Sequence, residues 1–98
     1  MNADLIHKAL ANPLRRDILA WLKTPEHSFA PNAARFPHGV PSNTIQARSG
    51  RSQSTVSAHL ALMVEAGLLV STRVGSFALF SRNEAVIDAF IKHIAEGF

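Results

Sequence analysis

The sequence predicts a mainly α-helical fold with one small β-hairpin, on three observations. Apolar residues recur at helical spacing from Asp4 to Lys23 and again across two shorter segments between Ser42 and Gly67. After Leu68 the period changes from about 3.6 to 2 and stays there through Arg82. It then returns to helical spacing for the rest of the chain. A length of 98 residues leaves room for one modest core, so residues 1–98 are expected to form a single domain.

Leu5, Ile6, Ala9 and Leu10 mark a first short amphipathic helix over Asp4 to Ala11. Asn12 followed by Pro13 is a helix start, because Asn accepts from the first free amides and Pro lacks the amide that would go unbonded. The second helix runs to about Lys23, with Leu14, Ile18, Trp21 and Leu22 inward and Arg15, Arg16, Asp17 and Lys23 outward. Periodicity then stops. Residues 25–41 hold four of the 5 prolines and read as a proline-rich loop insertion anchored by Phe29 and Phe36.

Ser42 is the expected cap of a short helix ending at Gly50. Ser52 caps the next helix, whose inward face is Val56, Leu60 and Met63 or Val64, closed by Gly67. Two helices around Ser49-Gly50-Arg51 over 42–67 make a helix-turn-helix. Within 69–82, Leu69 to Val74 and Phe77 to Arg82 flank Gly75-Ser76, a loop of the Gly-X kind that makes type II′ hairpins. A final helix from Asn83 or Glu84 to about Glu96 carries Val86, Ile87, Phe90, Ile91 and Ile94. That stripe is wider than one core contact requires and predicts burial against a partner chain as well.

Composition narrows the chemistry. The chain is 47% hydrophobic and 17% charged, as globular proteins are, and has no cysteine, which removes disulfides, thiolate nucleophiles and sulfur-ligated metals. No stretch approaches the roughly 20 apolar residues that span a bilayer. The start lacks a secretory pattern, so the cytoplasm is the expected compartment, with no membrane partner. The formal net charge of +3 decides little, but its distribution is informative. No Asp or Glu occurs from His27 to Val64, a stretch that holds Arg35, Arg48 and Arg51. Arg73 and Arg82 continue the basic side into the hairpin, while acids collect at Asp4, Asp17, Glu84, Asp88 and Glu96.

A helix-turn-helix followed at once by a two-stranded wing is a winged-helix arrangement, whose second helix suits the major groove of DNA and whose wing suits the neighbouring backbone. Gln53, Ser54, Ser57 and Ala58 share the face opposite Val56 and Leu60. Gln bonds adenine edges bidentately and Ser is an adaptable short partner, so Gln53, Ser54 and Ser57 are the expected base-edge contacts. Thr55, His59, Arg48 and Arg51 are candidates for the backbone, with Arg73, Ser76 and Arg82 on the wing.

At this point the chain resembles a known family. Ala9 to Leu19, Ser52 to Leu60, Glu65-Ala66-Gly67-Leu68 and the hairpin around Val74-Gly75 look like ArsR/SmtB-type bacterial transcriptional repressors. The resemblance implies a homodimer, built from the first and last helices, that binds a double-stranded operator with dyad symmetry and leaves it when an inducer binds. The dimer residues would be Leu5, Ile6, Leu10, Ile87, Phe90, Ile91 and Ile94. Arg51 stands where the family commonly has an apolar residue, and Ala58 where it commonly has a basic residue or His.

The family's cysteine metal site is absent here. Of its other metal site, on the last helix, only the His93-Ile94-Ala95-Glu96 half is present, with Phe80 and Arg82 standing where the remaining ligands would be. No metal and no cofactor are therefore expected, and no inducer is identified. The competing reading keeps the winged helix as a protein-interaction module without specific DNA binding. An enzyme is not expected, since neither a nucleophile elbow, a carboxylate pair nor a phosphate-cradling Gly loop accompanies the Ser, His and acidic residues.

Overall fold

Helix starts in this chain are set by Asn and Ser. The computed structural model, which describes residues 1–29 and 37–98, places α1 at Ala3–Leu10 and α2 at Pro13–Lys23. Asn2 Oδ1 accepts from Leu5 N at 3.2 Å, and Asn12 Oδ1 accepts from Arg15 N at 3.1 Å, with Pro13 opening α2 as expected. Ser52 caps α5 (Gln53–Glu65) by accepting from Thr55 N, and Asn83 caps α6 (Glu84–Gly97) by accepting from Val86 N. Helix α4 (Ser42–Ser49) is the exception: Pro41 holds the cap position without a side-chain bond, and Ser42 is the first helical residue.

The segment expected to be a plain loop has structure at both ends. Pro25–Ser28 forms the short helix α3, and Val40–Pro41 forms a strand, β1. The sheet therefore has three strands rather than the two of a hairpin, in the order β1-β3-β2, all antiparallel. Strands β2 (Leu69–Val74) and β3 (Phe77–Arg82) pair Val74 with Phe77 across the turn. Gly75 has φ +60° and no described non-glycine residue has positive φ, so Ser76 does not, as a type II′ turn requires. Strand β1 adds Val40 opposite Phe80 and Pro41 opposite Leu79, at an edge where proline is tolerated. A two-residue strand is too short to show a period. Phe29 anchors its segment at 7% exposure, whereas Phe36 and Arg35 lie outside the described residues.

Two buried clusters form on either side of α5. The first gathers Ile18 and Leu22 of α2, Ile45 of α4, Val56, Leu60 and Met63 of α5, and Leu69 and Phe80 of the sheet. The second joins Ile6 and Ala9 of α1 to Ala66, Leu68 and Ile87. Leu19 packs against both. His7 of α1 and Phe90 of α6 meet edge to face with ring centroids 5.1 Å apart. Ile6 and Ile87 were expected at a dimer interface, but at 0% and 7% exposure they are consumed by the protomer's own core. Leu5, Leu10 and Phe90 are half-buried against that core, Ile94 is half-buried, and Ile91 is 60% exposed.

Gly39 makes the β1 approach possible. Its φ is +130°, and a Cβ there would sit 2.5 Å from the Phe80 carbonyl oxygen, a backbone atom with little room to shift. Gly39→Ala is expected to cost about 2–4 kcal/mol of unfolding free energy, read from the urea midpoint at unchanged slope.

Candidate nucleic-acid interface

The turn between α4 and α5 is held by its own side chains. Gly50, at φ +69°, ends α4 and donates its amide to Gln46 O at 3.2 Å. Ser49 Oγ donates to the same carbonyl at 2.7 Å and accepts from Arg51 N at 3.1 Å, while Gln46 Nε2 donates to Arg51 O at 3.1 Å. Ser52 Oγ, besides capping α5, donates to Thr55 Oγ1 at 2.9 Å. Thr55 is thus half-buried within the cap, and the backbone of the turn is bonded before any ligand arrives.

Helix α5 then divides cleanly. Val56, Leu60 and Met63 are at most 1% exposed, while Gln53, Ser54, Ser57 and Ala58 are in solvent. Ser42, Asn43 and Gln46 of α4 line a polar cleft of about 110 Å³ with Gln53 and Ser57. Those three α4 residues were missed from sequence, because α4 has no strong apolar period to show which side is out. Arg51 and Arg73 are exposed and form no ion pair among the described residues, and Ser76 is exposed at the wing tip.

Three other candidates are engaged elsewhere. Arg82, expected on the outer wing, turns back to the body: Nε and Nη2 donate to Glu84 at 2.7 and 3.1 Å, and Nη1 donates to Leu19 O at 3.1 Å. Its side chain is only 12% exposed, because it pins the end of β3 to α2 and to the first turn of α6. Arg48 lies 4.6 Å above the Trp21 ring and donates to Ser28 O at 3.1 Å, tying α4 to α2 and α3. His59 is half-buried, with Nδ1 3.0 Å from Arg15 Nη1. Burial first, then the charges of Arg15 and Arg51, hold its pKa below the usual imidazole value. Arg16 is exposed as expected and Arg15 is half-buried; both also cap α1, bonding the carbonyls of Lys8, Ala9 and Leu10.

His93 and Glu96 are both exposed, and Glu96 lies 4.0 Å from Lys92. Among the described residues no group of three or more His, Asp or Glu is placed to hold a metal ion. No described helix is long and apolar enough to cross a membrane.

The fold and its bare second helix define a winged helix-turn-helix DNA-binding protein. No family-level sequence model matches the chain. It is 35% identical over 89 residues, 84% of each chain, to YbzH of Bacillus subtilis (strain 168), an uncharacterised HTH-type transcriptional regulator. Among solved structures, an ArsR family transcriptional regulator matches with a TM-score of 0.71 at 17% identity, over 96% of this chain and 84% of that one. The homodimeric winged helix-turn-helix DNA-binding domain of a possible ArsR-family regulator from Mycobacterium bovis matches with a TM-score of 0.66 at 24% identity, covering 95% and 77%. The chain belongs to the HTH-type transcriptional regulators, with the winged-helix fold of the ArsR family.

The Arg82 assignment is directly testable. Arg82→Ala is expected to lower unfolding free energy by about 1–3 kcal/mol while leaving the salt dependence of DNA binding unchanged. Hydrogen bonding from Arg82 holds the Glu84 carboxyl below its usual value of 4.5, so the folded state binds that proton less readily than the unfolded chain. The stabilisation is complete above that value and is lost as pH falls through the folded one. Urea midpoints measured down the acid limb should therefore fall more steeply for the wild type than for Glu84→Gln.

Proposed function

We propose that this regulator is a homodimeric repressor that binds an inverted-repeat operator, with residues 1–98 acting as one DNA-binding unit. The observation that carries the reading is the exposed, acid-free face made by Gln53, Ser54 and Ser57 with Arg51 beside it. Gln53, Ser54 and Ser57 are assigned to base edges, and Arg51, Arg73 and Ser76 to the phosphate backbone on either side. Ser42 and Asn43, at the start of α4, join the backbone set, because the first helix of such a motif crosses the strand. The polar α5 face is compatible with reading DNA; the local absence of carboxylates favours it, since each would repel phosphate.

Dimerisation is assigned to α1 and α6, through Leu10, Phe90, Ile91 and Ile94 with Leu5 at the margin. Ile91 is the most exposed member, at 60%, and continues the apolar stripe of Phe90 and Ile94 on α6. A two-fold dimer presents two copies of α5, so half-sites are expected about one helical turn, roughly 34 Å, apart.

The test is fluorescence anisotropy on an inverted repeat taken from DNA upstream of the protein's own gene. Gln53→Ala and Ser57→Ala should each weaken specific binding by about 1–3 kcal/mol and leave binding to random DNA nearly unchanged. Arg51→Ala and Arg73→Ala should weaken both and reduce the salt slope by about one each. Equal affinity for the repeat and for random DNA at moderate salt would sink the operator reading. Ile91→Glu should shift light scattering from dimer to monomer and weaken operator binding together, and a variant that remains dimeric removes Ile91 from the interface.

A further inference from the structure

Arg15 is not among the residues expected to touch DNA, yet its guanidinium is bonded in three directions. Nε donates to Ala9 O at 2.7 Å and Nη2 to Lys8 O at 3.1 Å, at the C-terminal end of α1. Nη1 lies 3.0 Å from Nδ1 of His59, on the DNA-reading helix 44 residues further along the chain. A guanidinium offers donors only and stays charged at any pH the fold survives. That contact is a hydrogen bond only if His59 Nδ1 presents its lone pair, which leaves the ring proton on Nε2.

We propose that Arg15 is a positioning residue for DNA recognition: it fixes His59 as the neutral imidazole carrying its proton on Nε2, and so gives α5 a donor of defined orientation beside Ala58. The same guanidinium ties that ring to the end of α1, the helix assigned to dimerisation. A C-terminal helix cap alone needs only the two carbonyl bonds; the third, to a side chain on another helix, is what a cap does not require. The charges acting on the ring come from Arg15 on α2 and from Arg51 in the turn before α5, while α1 contributes backbone carbonyls to Arg15. Protonation removes the lone pair and places a third cation among them. The bond is therefore present above the folded ring's pKa, which lies below the usual imidazole value, and is lost as pH falls through it.

The proposal rests on α5 being the DNA-reading helix, so its first measurement is made without DNA. In the full ¹⁵N-labelled chain, imidazole nitrogen shifts, assigned by comparison with His59→Gln, report tautomer and titration. The expected result is a wild-type ring protonated on Nε2 at pH 8 and titrating below 6.5. In Arg15→Met the form protonated on Nδ1 appears and the titration moves up towards 6.5. A wild-type ring protonated on Nδ1, or a titration unmoved in Arg15→Met, overturns the proposal, and if Arg15→Met does not fold the wild-type tautomer decides alone. In the operator titration, Arg15→Met and His59→Gln should each weaken binding by about five- to ten-fold, and the double variant by no more than the larger single loss. Additive losses, or none, overturn the role in recognition. Failure of the wild type to bind any operator removes that role too but leaves the tautomer result standing, and so separates the two ideas.

Discussion

Helix α5 is buried along Val56, Leu60 and Met63 and bare along Gln53, Ser54 and Ser57, and both apolar clusters are built against it. Its inner face completes the cluster shared with α2, α4 and the sheet. Its end, through Leu62 and Ala66, completes the one shared with α1 and α6. Each buried aliphatic side chain contributes about 1.5–3 kcal/mol. Turning the helix by a single residue, about 100°, would bring Ser57 or Thr55 to the core and carry Val56 and Leu60 towards water. The packing that stabilises the fold is therefore the same constraint that aims the reading face, and no separate device is needed to orient it.

Most of the described arginines bond within the protomer. Arg15 and Arg16 cap α1, Arg48 clamps Trp21 and Ser28, and Arg82 joins β3 to α2 and α6. Arg is suited to such work because its planar fork bonds several backbone carbonyls at once without losing charge. Their positive field persists, but each spends at least one donor within the protomer, which is why the proposed phosphate contacts are Arg51, Arg73 and the small polar groups near them. The two consecutive arginines of α2 also link α1 to α5: carbonyls at the end of α1 and a ring on α5 are bonded to adjacent positions on one helix.

Much of this architecture was legible because its signals are local. Asn12-Pro13, Ser52 and Asn83 start helices by bonding amides three residues on, and Gly50 and Gly75 supply the positive φ that their turns demand. The inward set on α5 follows from a period that needs no knowledge of what lies opposite. Strand β1 escaped notice because two residues carry no alternation, and its pairing depends on Gly39 passing against the Phe80 backbone. The α6 stripe is wide, but its period could not say which residues the protomer itself would cover.

The sequence by itself determined every described helix but α3, the hairpin turn, the outward Gln and Ser face and the absence of acids around it, since each depends on neighbours within a few positions along the chain. Only the tertiary structure decided which basic and apolar side chains are left over. Ile6 and Ile87 are enclosed by the second cluster, Arg82 is held by Leu19 O from 63 residues away, and Arg15 meets His59 across two helices. A long side chain reaches whatever acceptor the fold brings close, and an apolar stripe is buried by whichever surface the fold packs against it. Neither outcome is written in the spacing of residues along one element.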